Sequence, residues 1–185
     1  MRKLIYAINL TLDGCFDHTN MIGGADVMDY YIQLVRDAGL FVYGRKTYEL
    51  MVPFWPNVAK DHKGHSRSDI EFAEAFGSVD KVVFSRSLDK IEEKGTRLVR
   101  LNLKDEVLRL KQEKGKDILT GGVDIPSQLM ALGLIDEYRF VVQPLVVGKG
   151  RRLLEGIDLP EKLRLKLVES KVFESGCILL RYLKQ

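Results

Sequence analysis

Glycine, arginine and hydroxyl residues directly follow three short hydrophobic segments of this chain. The segments are LFVYG-RKTYE at residues 40–49, KVVF-SR at 81–86 and DILT-GGVDIP at 117–126. In the first and third, the apolar run reaches glycine and a helical pattern then begins. The start of a helix has unpaired N–H groups and the positive end of the helix dipole, so it attracts anions. Glycine lets an anion approach the backbone because no Cβ stands in the way.

Side chains at these turns are of the types that bind phosphate. Arg45 carries a guanidinium that can donate two parallel hydrogen bonds, while Thr47 and Ser85 add hydroxyl donors. If the three segments are parallel strands, their carboxyl ends lie along one edge of a sheet, where open α/β folds bind ligands. Each turn alone also fits a helix cap, a simple strand end or a tight glycine turn. Together they predict a nucleotide site.

The elements that carry these residues are predicted from hydrophobic periodicity. Strands are expected at residues 3–10, 40–43, 81–84, 96–101, 117–119 and 136–142. Helices are expected at residues 25–38, 45–51, 69–76, 104–114 and 125–132. Alternating runs at 163–173 and 177–183, joined by Glu174-Ser175-Gly176, predict a β-hairpin. We expect a polar surface loop over residues 57–68.

Strands alternate with helices as far as Val142, and this order predicts the fold class. The expected fold is α/β, with a mainly parallel central sheet flanked by helices and an antiparallel hairpin at the C-terminal end. The 185 residues suit one domain with a full core, and no segment resembles a linker. Residues 1–185 are therefore expected to form a single domain.

Composition narrows the classes of function. The net charge of +3 is small and the two signs are mixed, so we expect no nucleic-acid partner. Cys15 and Cys177 form no disulfide framework, and neither a signal peptide nor an apolar run of membrane-spanning length is apparent. We therefore expect a cytoplasmic protein with no membrane partner. His62 and His65 lack a third ligand nearby, so no metal site is expected.

The motifs in their order resemble a known family. The matching segments are LDG at 12–14, GRKTYE at 44–49, FSRSL at 84–88, LTGG at 119–122 and LMALGLIDEYRFVVQPLVVGKGRRLL at 129–154. They span most of the chain. The chain resembles the dihydrofolate reductase superfamily, and more closely its branch related to the C-terminal reductase domain of the bifunctional riboflavin-biosynthesis deaminase–reductase.

This resemblance implies a three-layer dihydrofolate reductase-like fold and a reductase that takes hydride from NADPH. It implies that three groups of residues hold the cofactor. The groups are Gly44, Arg45, Lys46 and Thr47 for its phosphates, Ser85 and Arg86 for the adenosine 2′-phosphate, and Gly121, Gly122 and Val123 for the pyrophosphate.

The substrate side is less defined. Folate reductases carry a Trp-x-x-Pro loop and then a buried carboxylate on the first long helix, but no Trp-x-x-Pro precedes that helix here. In this chain the position of that carboxylate falls between Asp26 and Asp29, which share one helix face. Both residues are also typical of solvated acids in the first turn of a helix. Asp13 is a third candidate for contact with nicotinamide or substrate, or else a turn residue. Trp55 would either stack on a flat ring or anchor the packing.

The expected function is NADPH-dependent reduction of a small heterocycle resembling a ribosylamino-pyrimidine. Asp26, Asp29 or a bound water would supply the proton. Two alternatives stay open: a true dihydrofolate reductase, and a nucleotide-binding regulator that has kept the fold without turnover. The apolar C-terminal strands suit pairing across a two-fold axis, so a homodimer is expected.

Overall fold

The computed structural model describes residues 1–17, 19, 23–100 and 102–185. Its elements, in chain order, are β1 (Leu4–Thr11), α1 (Ala25–Asp37), β2 (Ala38–Gly44), α2 (Arg45–Met51), α3 (Trp55–Lys60), α4 (Arg67–Gly77), β3 (Lys81–Phe84), β4 (Thr96–Val99), α5 (Leu103–Gln112), β5 (Asp117–Thr120), α6 (Asp124–Ala131), β6 (Glu137–Gln143), β7 (Leu165–Val172) and β8 (Ile178–Lys184). The expected strands and helices are confirmed to within a few residues at their ends.

All of the strands belong to one sheet with the order β4-β3-β2-β5-β1-β6-β8-β7. The first six in this order pair in parallel. Strand β8 runs antiparallel to both β6 and β7. The predicted mainly parallel sheet with a C-terminal antiparallel hairpin is therefore confirmed.

Helices cover both faces of the parallel part of the sheet. Successive strand residues point to opposite faces, so each face contributes its own apolar side chains to a core. Leu4 and Tyr6 of β1 pack in a core cluster with residues of α5 and α6. Ile5, between them, packs in a second cluster with residues of α1 and α4. The result is the three-layer arrangement expected for this α/β fold.

One expectation about the chain between α2 and β3 is wrong. The composition of residues 57–68 predicts a polar loop, but α3 extends to Lys60 and α4 already begins at Arg67. Pro56 lies in the first turn of α3, where its missing N–H removes no helical hydrogen bond. Ser66 and Asp69 form a reciprocal capping box at the start of α4. Helix α4 was therefore predicted two residues late, whereas α3 was missed entirely.

The sheet opens at one place, where strand β5 stops short. Thr120, the last residue of β5, pairs with Tyr6 of β1 on one side and Val42 of β2 on the other. Strand β1 continues beyond this point beside β6, and β2 continues beside β3. Between the continuing strands no strand fills the gap in the described chain. This opening faces the carboxyl ends of the parallel strands, where such sheets bind ligands.

Candidate functional site

A cavity of about 510 Å³ occupies the opening between β1 and β2. Its volume is in the range of pockets that take small molecules and cofactors. Strand β1 contributes Ala7, Ile8 and Asn9, and β2 contributes Tyr43 and Gly44. The rest of the lining comes mainly from α2, the end of β3, the end of β5 and the start of α6.

Eight of the nine residues that the resemblance implies for cofactor binding line this one cavity. They are Gly44, Arg45, Lys46, Thr47, Ser85, Gly121, Gly122 and Val123. They come from three segments that are far apart in sequence, and the parallel order of β3, β2 and β5 brings them together. The expected convergence of three strand ends at one edge of the sheet is therefore present.

The Gly121-Gly122 turn is held closely against α2. Gly122 has φ +80°, a conformation that favours glycine. A Cβ at this position would lie 2.1 Å from Thr47 Oγ1, so the turn also needs glycine for contact with α2. The buried Tyr6 hydroxyl donates to the Gly122 carbonyl at 2.8 Å. The peptide bond between the glycines is trans.

Gly121 differs from its neighbour because it faces the gap between the strands. A Cβ there would lie 3.6 Å from the Ala7 carbonyl oxygen and 3.8 Å from Tyr43 Cε1, both ordinary contact distances. The fold has room for one methyl group at this point. A substitution at Gly121 would therefore fill space in the cavity, whereas a substitution at Gly122 would disturb the turn itself.

The charged side chains at the mouth of the cavity are paired with carboxylates. Arg45 donates through one nitrogen to both oxygens of Glu49, at 3.1 and 2.9 Å. Asp124, in the first turn of α6, lies 3.8 Å from Lys46 Nζ and 3.9 Å from a guanidinium nitrogen of Arg151. These pairs are exposed, so each contributes little to stability and can exchange for another anion.

At the end of β3, Ser85 and Arg86 differ in their position relative to the cavity. The Ser85 hydroxyl accepts hydrogen bonds from the Ser87 and Leu88 N–H groups, at 3.2 and 3.0 Å. It lines the cavity and also stabilises the turn after the strand. Arg86 is exposed and lies outside the lining, one residue further along.

Asp13 joins two loops. Its carboxylate accepts from the Thr11 hydroxyl at 2.6 Å and from the Val147 and Gly148 N–H groups at 3.3 and 3.0 Å. Arg152 also lies 3.4 Å from it. The hydrogen bond from Thr11, together with those from the backbone, lowers the pKa of Asp13 to about 2. The residue does not line the cavity.

The two helix carboxylates also lie outside the cavity lining. Asp26 accepts from the Ser175 N–H at 2.9 Å and from the Val27 N–H at 2.8 Å, so it ties α1 to the turn between β7 and β8. The bond from Ser175 is the main cause of a lowered pKa at Asp26. Asp29 is exposed on α1. The structure does not bring these acids together with the predicted cofactor residues.

Trp55 is half-buried at the start of α3. Its ring lies 4.4 Å from that of Phe72 and 4.9 Å from that of Phe54, measured between centroids. Phe72 lines the cavity, whereas Trp55 does not. Of the two roles expected for this side chain, these contacts are those of a packing anchor behind the cavity wall.

Several residues of the cavity were not identified from the sequence. They are Asn9, Phe16, Tyr31, Thr120, Asp124 and Arg151. One signal was present: Asn9 interrupts an otherwise apolar strand, LIYAINLT. Phe16 and Arg151 are distant in sequence, and the contact of the guanidinium with the ring, at 5.3 Å, depends on loop geometry.

In the part of the chain that the structure describes, no group of three or more histidine, cysteine, aspartate or glutamate side chains is arranged to hold a metal ion. His65 instead packs against the ring of Phe54, at 6.1 Å between centroids. In the same part of the chain, every helix is too short or too polar to cross a membrane.

Comparison with known proteins identifies related sequences and structures. The sequence matches the family described as the RibD C-terminal domain over residues 2–179. It is 31% identical over 188 residues to the uncharacterized protein YyaP of Bacillus subtilis, covering 98% of this chain and 94% of that protein. RibD of Acinetobacter baumannii has a similar structure, with a TM-score of 0.71 at 21% identity, over 100% of this chain and 58% of that one.

A second solved structure has the same fold. It is the diaminohydroxyphosphoribosylaminopyrimidine deaminase/5-amino-6-(5-phosphoribosylamino)uracil reductase of Thermotoga maritima, with a TM-score of 0.68 at 16% identity, over 100% of this chain and 57% of that one. The relationship expected from the motifs is therefore confirmed. With a match across residues 2–179, the chain belongs to the RibD C-terminal domain family.

Proposed function

We propose that this protein is an NADPH-dependent reductase whose substrate is a heterocycle of the ribosylamino-pyrimidine type. One observation carries the proposal: the Gly121-Gly122 turn and the Arg45–Thr47 segment meet at a single cavity in the opening of the sheet. Membership of the RibD C-terminal domain family supports a riboflavin-pathway reductase-like role.

The donor groups of the cavity fit a phosphorylated dinucleotide. Arg45 and Lys46 supply positive charge, and Thr47 supplies a hydroxyl to which no described residue hydrogen-bonds. Gly121 leaves space beside the Ala7 carbonyl that a side chain would fill. In the proposal, Arg45 leaves Glu49 to bind a phosphate, and Ser85 with Arg86 selects the 2′-phosphate of the adenosine.

NADPH, when bound, supplies the hydride. The residues of the chain contribute by binding the phosphates, orienting the two rings and limiting access of water. Asp124 is the only carboxylate among the described lining residues, and it is paired with Lys46 and Arg151 at the mouth. We therefore propose bound water as the proton source, rather than Asp13, Asp26 or Asp29.

The substrate class is proposed from the relatives together with the cavity. The Thermotoga protein is named as a 5-amino-6-(5-phosphoribosylamino)uracil reductase. Arg151 suits an anionic group on such a molecule. Bound pterins require a buried carboxylate aligned with a protonated ring, and apart from Asp124 at the mouth no carboxylate lies in the described lining.

Three assays on the wild type test the proposal. NADPH is titrated by fluorescence, and its oxidation is followed with 5-amino-6-(5-phosphoribosylamino)uracil and then with dihydrofolate. We expect NADPH binding, turnover of the pyrimidine, and weak or no turnover of dihydrofolate. Rapid dihydrofolate turnover that antifolates inhibit would favour a true dihydrofolate reductase. NADPH binding without oxidation of any substrate would favour the nucleotide-binding regulator.

We also propose a cytoplasmic homodimer formed through the C-terminal hairpin. Strand β7 is the last in the sheet order, so its outer edge is unpaired in the described chain. Leu167, Val172 and Ile178, on the same face of the hairpin, are exposed apolar side chains. Sedimentation velocity of the wild type and Val172→Lys is the test, and a monomeric wild type at micromolar concentration would contradict the dimer.

A further inference from the structure

Asn9 is a polar residue in the middle of an apolar strand, and its side chain lines the cavity. It lies on the α1 face of β1, because it is an even number of residues from Ile5, which packs in the α1 and α4 cluster. Helix α1 contributes Tyr31 to the same part of the lining. An amide at such a position needs hydrogen-bond partners, since burying it unpaired costs free energy.

Two donors converge on the oxygen of the Asn9 side chain. The Tyr31 hydroxyl donates to Asn9 Oδ1 at 3.1 Å, and Gln143 Nε2 donates to the same atom at 3.4 Å. Gln143 is itself oriented, because its Oε1 accepts from Cys177 Sγ at 3.3 Å. Burial raises the pKa of Tyr31 well above its usual value, so this hydroxyl stays protonated and acts as a donor.

This arrangement fixes which end of the amide remains for a ligand. With Oδ1 taken by Tyr31 and Gln143, the two N–H groups on Nδ2 are the unused hydrogen-bonding capacity of Asn9. No described residue accepts from Nδ2. The wall of the cavity therefore presents a neutral donor with a set orientation, and no carboxylate accompanies it at this inner end of the described lining.

We propose that Asn9 Nδ2 donates a hydrogen bond to a carbonyl-type oxygen on one of the rings bound in the cavity, and that Tyr31 and Gln143 are positioning residues for it. This inference rests on the proposed function and deepens it. The ligand chemistry is that of a neutral oxo- or carboxamide-bearing ring. Such an oxygen is present on the carboxamide of the nicotinamide and on a uracil-type substrate.

The substitution Asn9→Asp tests the donor directly. It keeps an oxygen for Tyr31 and Gln143 and replaces the N–H donors with a second acceptor. We expect binding of the recognised ring to weaken about tenfold to a hundredfold, because a carboxylate oxygen of the new aspartate would face the carbonyl-type oxygen of the ring with no hydrogen between them. The readouts are the Kd of NADPH by fluorescence titration and the KM for 5-amino-6-(5-phosphoribosylamino)uracil. Urea unfolding verifies that the variant is folded.

The two readouts distinguish the two sources of the oxygen. A raised NADPH Kd with an unchanged substrate KM assigns the contact to the nicotinamide carboxamide. A raised substrate KM with an unchanged NADPH Kd assigns it to the substrate ring. Either result supports the proposal, and unchanged values for both in a folded, active variant overturn it.

Tyr31→Phe tests the positioning role, with Tyr30→Phe as its matched control. Tyr30 is the neighbouring phenol on α1 and does not line the cavity. We expect Tyr31→Phe to raise the same constant as Asn9→Asp, by a smaller factor, and Tyr30→Phe to leave it unchanged. Equal effects of the two tyrosine substitutions would overturn the positioning role. A wild type that neither binds NADPH nor reduces the pyrimidine would instead overturn the proposed function, and this inference with it.

Discussion

The mouth and the inner end of the cavity are built in opposite ways. At the mouth, Arg45, Lys46 and Arg151 are exposed cations, each paired with a carboxylate on a neighbouring turn. At the inner end, Asn9 is held by the neutral donors of Tyr31 and Gln143. Exposed ion pairs are weak and exchange their anion readily, whereas a partly buried amide network keeps its geometry. The difference suits a ligand with an anionic tail and a neutral ring.

The Gly121-Gly122 turn joins these two regions, and breaking it is expected to have the largest effect. Gly122→Ala places a Cβ against Thr47 and forces φ +80° on an alanine. The left-handed backbone alone costs about 1–2 kcal/mol, and the displaced α2 adds to this. We expect a clear loss in the free energy of unfolding by urea, together with loss of NADPH binding.

Gly64→Ala is the control for that substitution. Gly64 has φ +78°, and nothing lies within 4 Å of the position that a Cβ would take there. Gly64→Ala should therefore lower the free energy of unfolding only by the cost of the left-handed backbone. If Gly122→Ala were no more destabilising than Gly64→Ala and bound NADPH normally, the contact of the turn with Thr47 would have no importance for the site.

The mouth is tested next by Arg45→Ala. Losing a charge-assisted hydrogen bond to phosphate should weaken NADPH binding about tenfold to a hundredfold, with little change in stability. Arg67→Ala removes the same kind of pair, since Arg67 donates to Glu71 at 2.8 Å on α4 outside the cavity. Calorimetric titration with NADPH compares the two variants. Equal affinities would show that Arg45 does not bind the cofactor.

Arg86→Ala tests the choice between NADPH and NADH. The wild type should prefer NADPH to NADH, and the variant should lose about tenfold of this preference because a guanidinium is removed from the 2′-phosphate. Titration of both reduced cofactors measures the ratio. A wild type that binds them equally would refute the assignment of Ser85 and Arg86.

Asp13 gives the smallest expected effect, a change in how the free energy of unfolding depends on acid pH. Its pKa falls from 3.8 to about 2 in the folded protein. The stabilisation is therefore fully present above the unfolded value of 3.8 and is lost as the pH falls through about 2. Between these two pH values, the free energy of unfolding of Asp13→Asn should fall less steeply than that of Asp29→Asn. Identical urea midpoints against pH for the two variants would show that the loop contact contributes nothing.

The mouth of the cavity was predictable from sequence because it depends on local patterns. A strand followed by glycine and a helix start fixes the position of Arg45 or Gly121 through a few consecutive residues. The parallel sheet then brings such turns together. The helix at Trp55–Lys60 was missed because it is only six residues long and has a proline in its first turn, and its Trp55 packs on Phe72 of α4.

The inner end of the cavity could not be predicted in the same way. Asn9, Tyr31 and Gln143 are brought together by tertiary packing of β1, α1 and β6, and nothing local to each marks them as partners. The carboxylates that the sequence offered instead form loop and helix contacts, as Asp13 and Asp26 do. A carboxylate at a strand end or in a first helical turn has local backbone partners that compete with any ligand.

We propose that the opening between β1 and β2 binds NADPH across the glycine turn. Gly121→Ala tests it most directly, since the methyl group fits the fold but fills the gap beside Ala7 and Tyr43. Fluorescence titration of NADPH should give saturable binding to the wild type. The variant should bind at least about tenfold more weakly, a loss of about 1.4 kcal/mol, with an unchanged free energy of unfolding. Equal NADPH affinity in wild type and variant, or no binding to the wild type, would contradict NADPH binding in this opening.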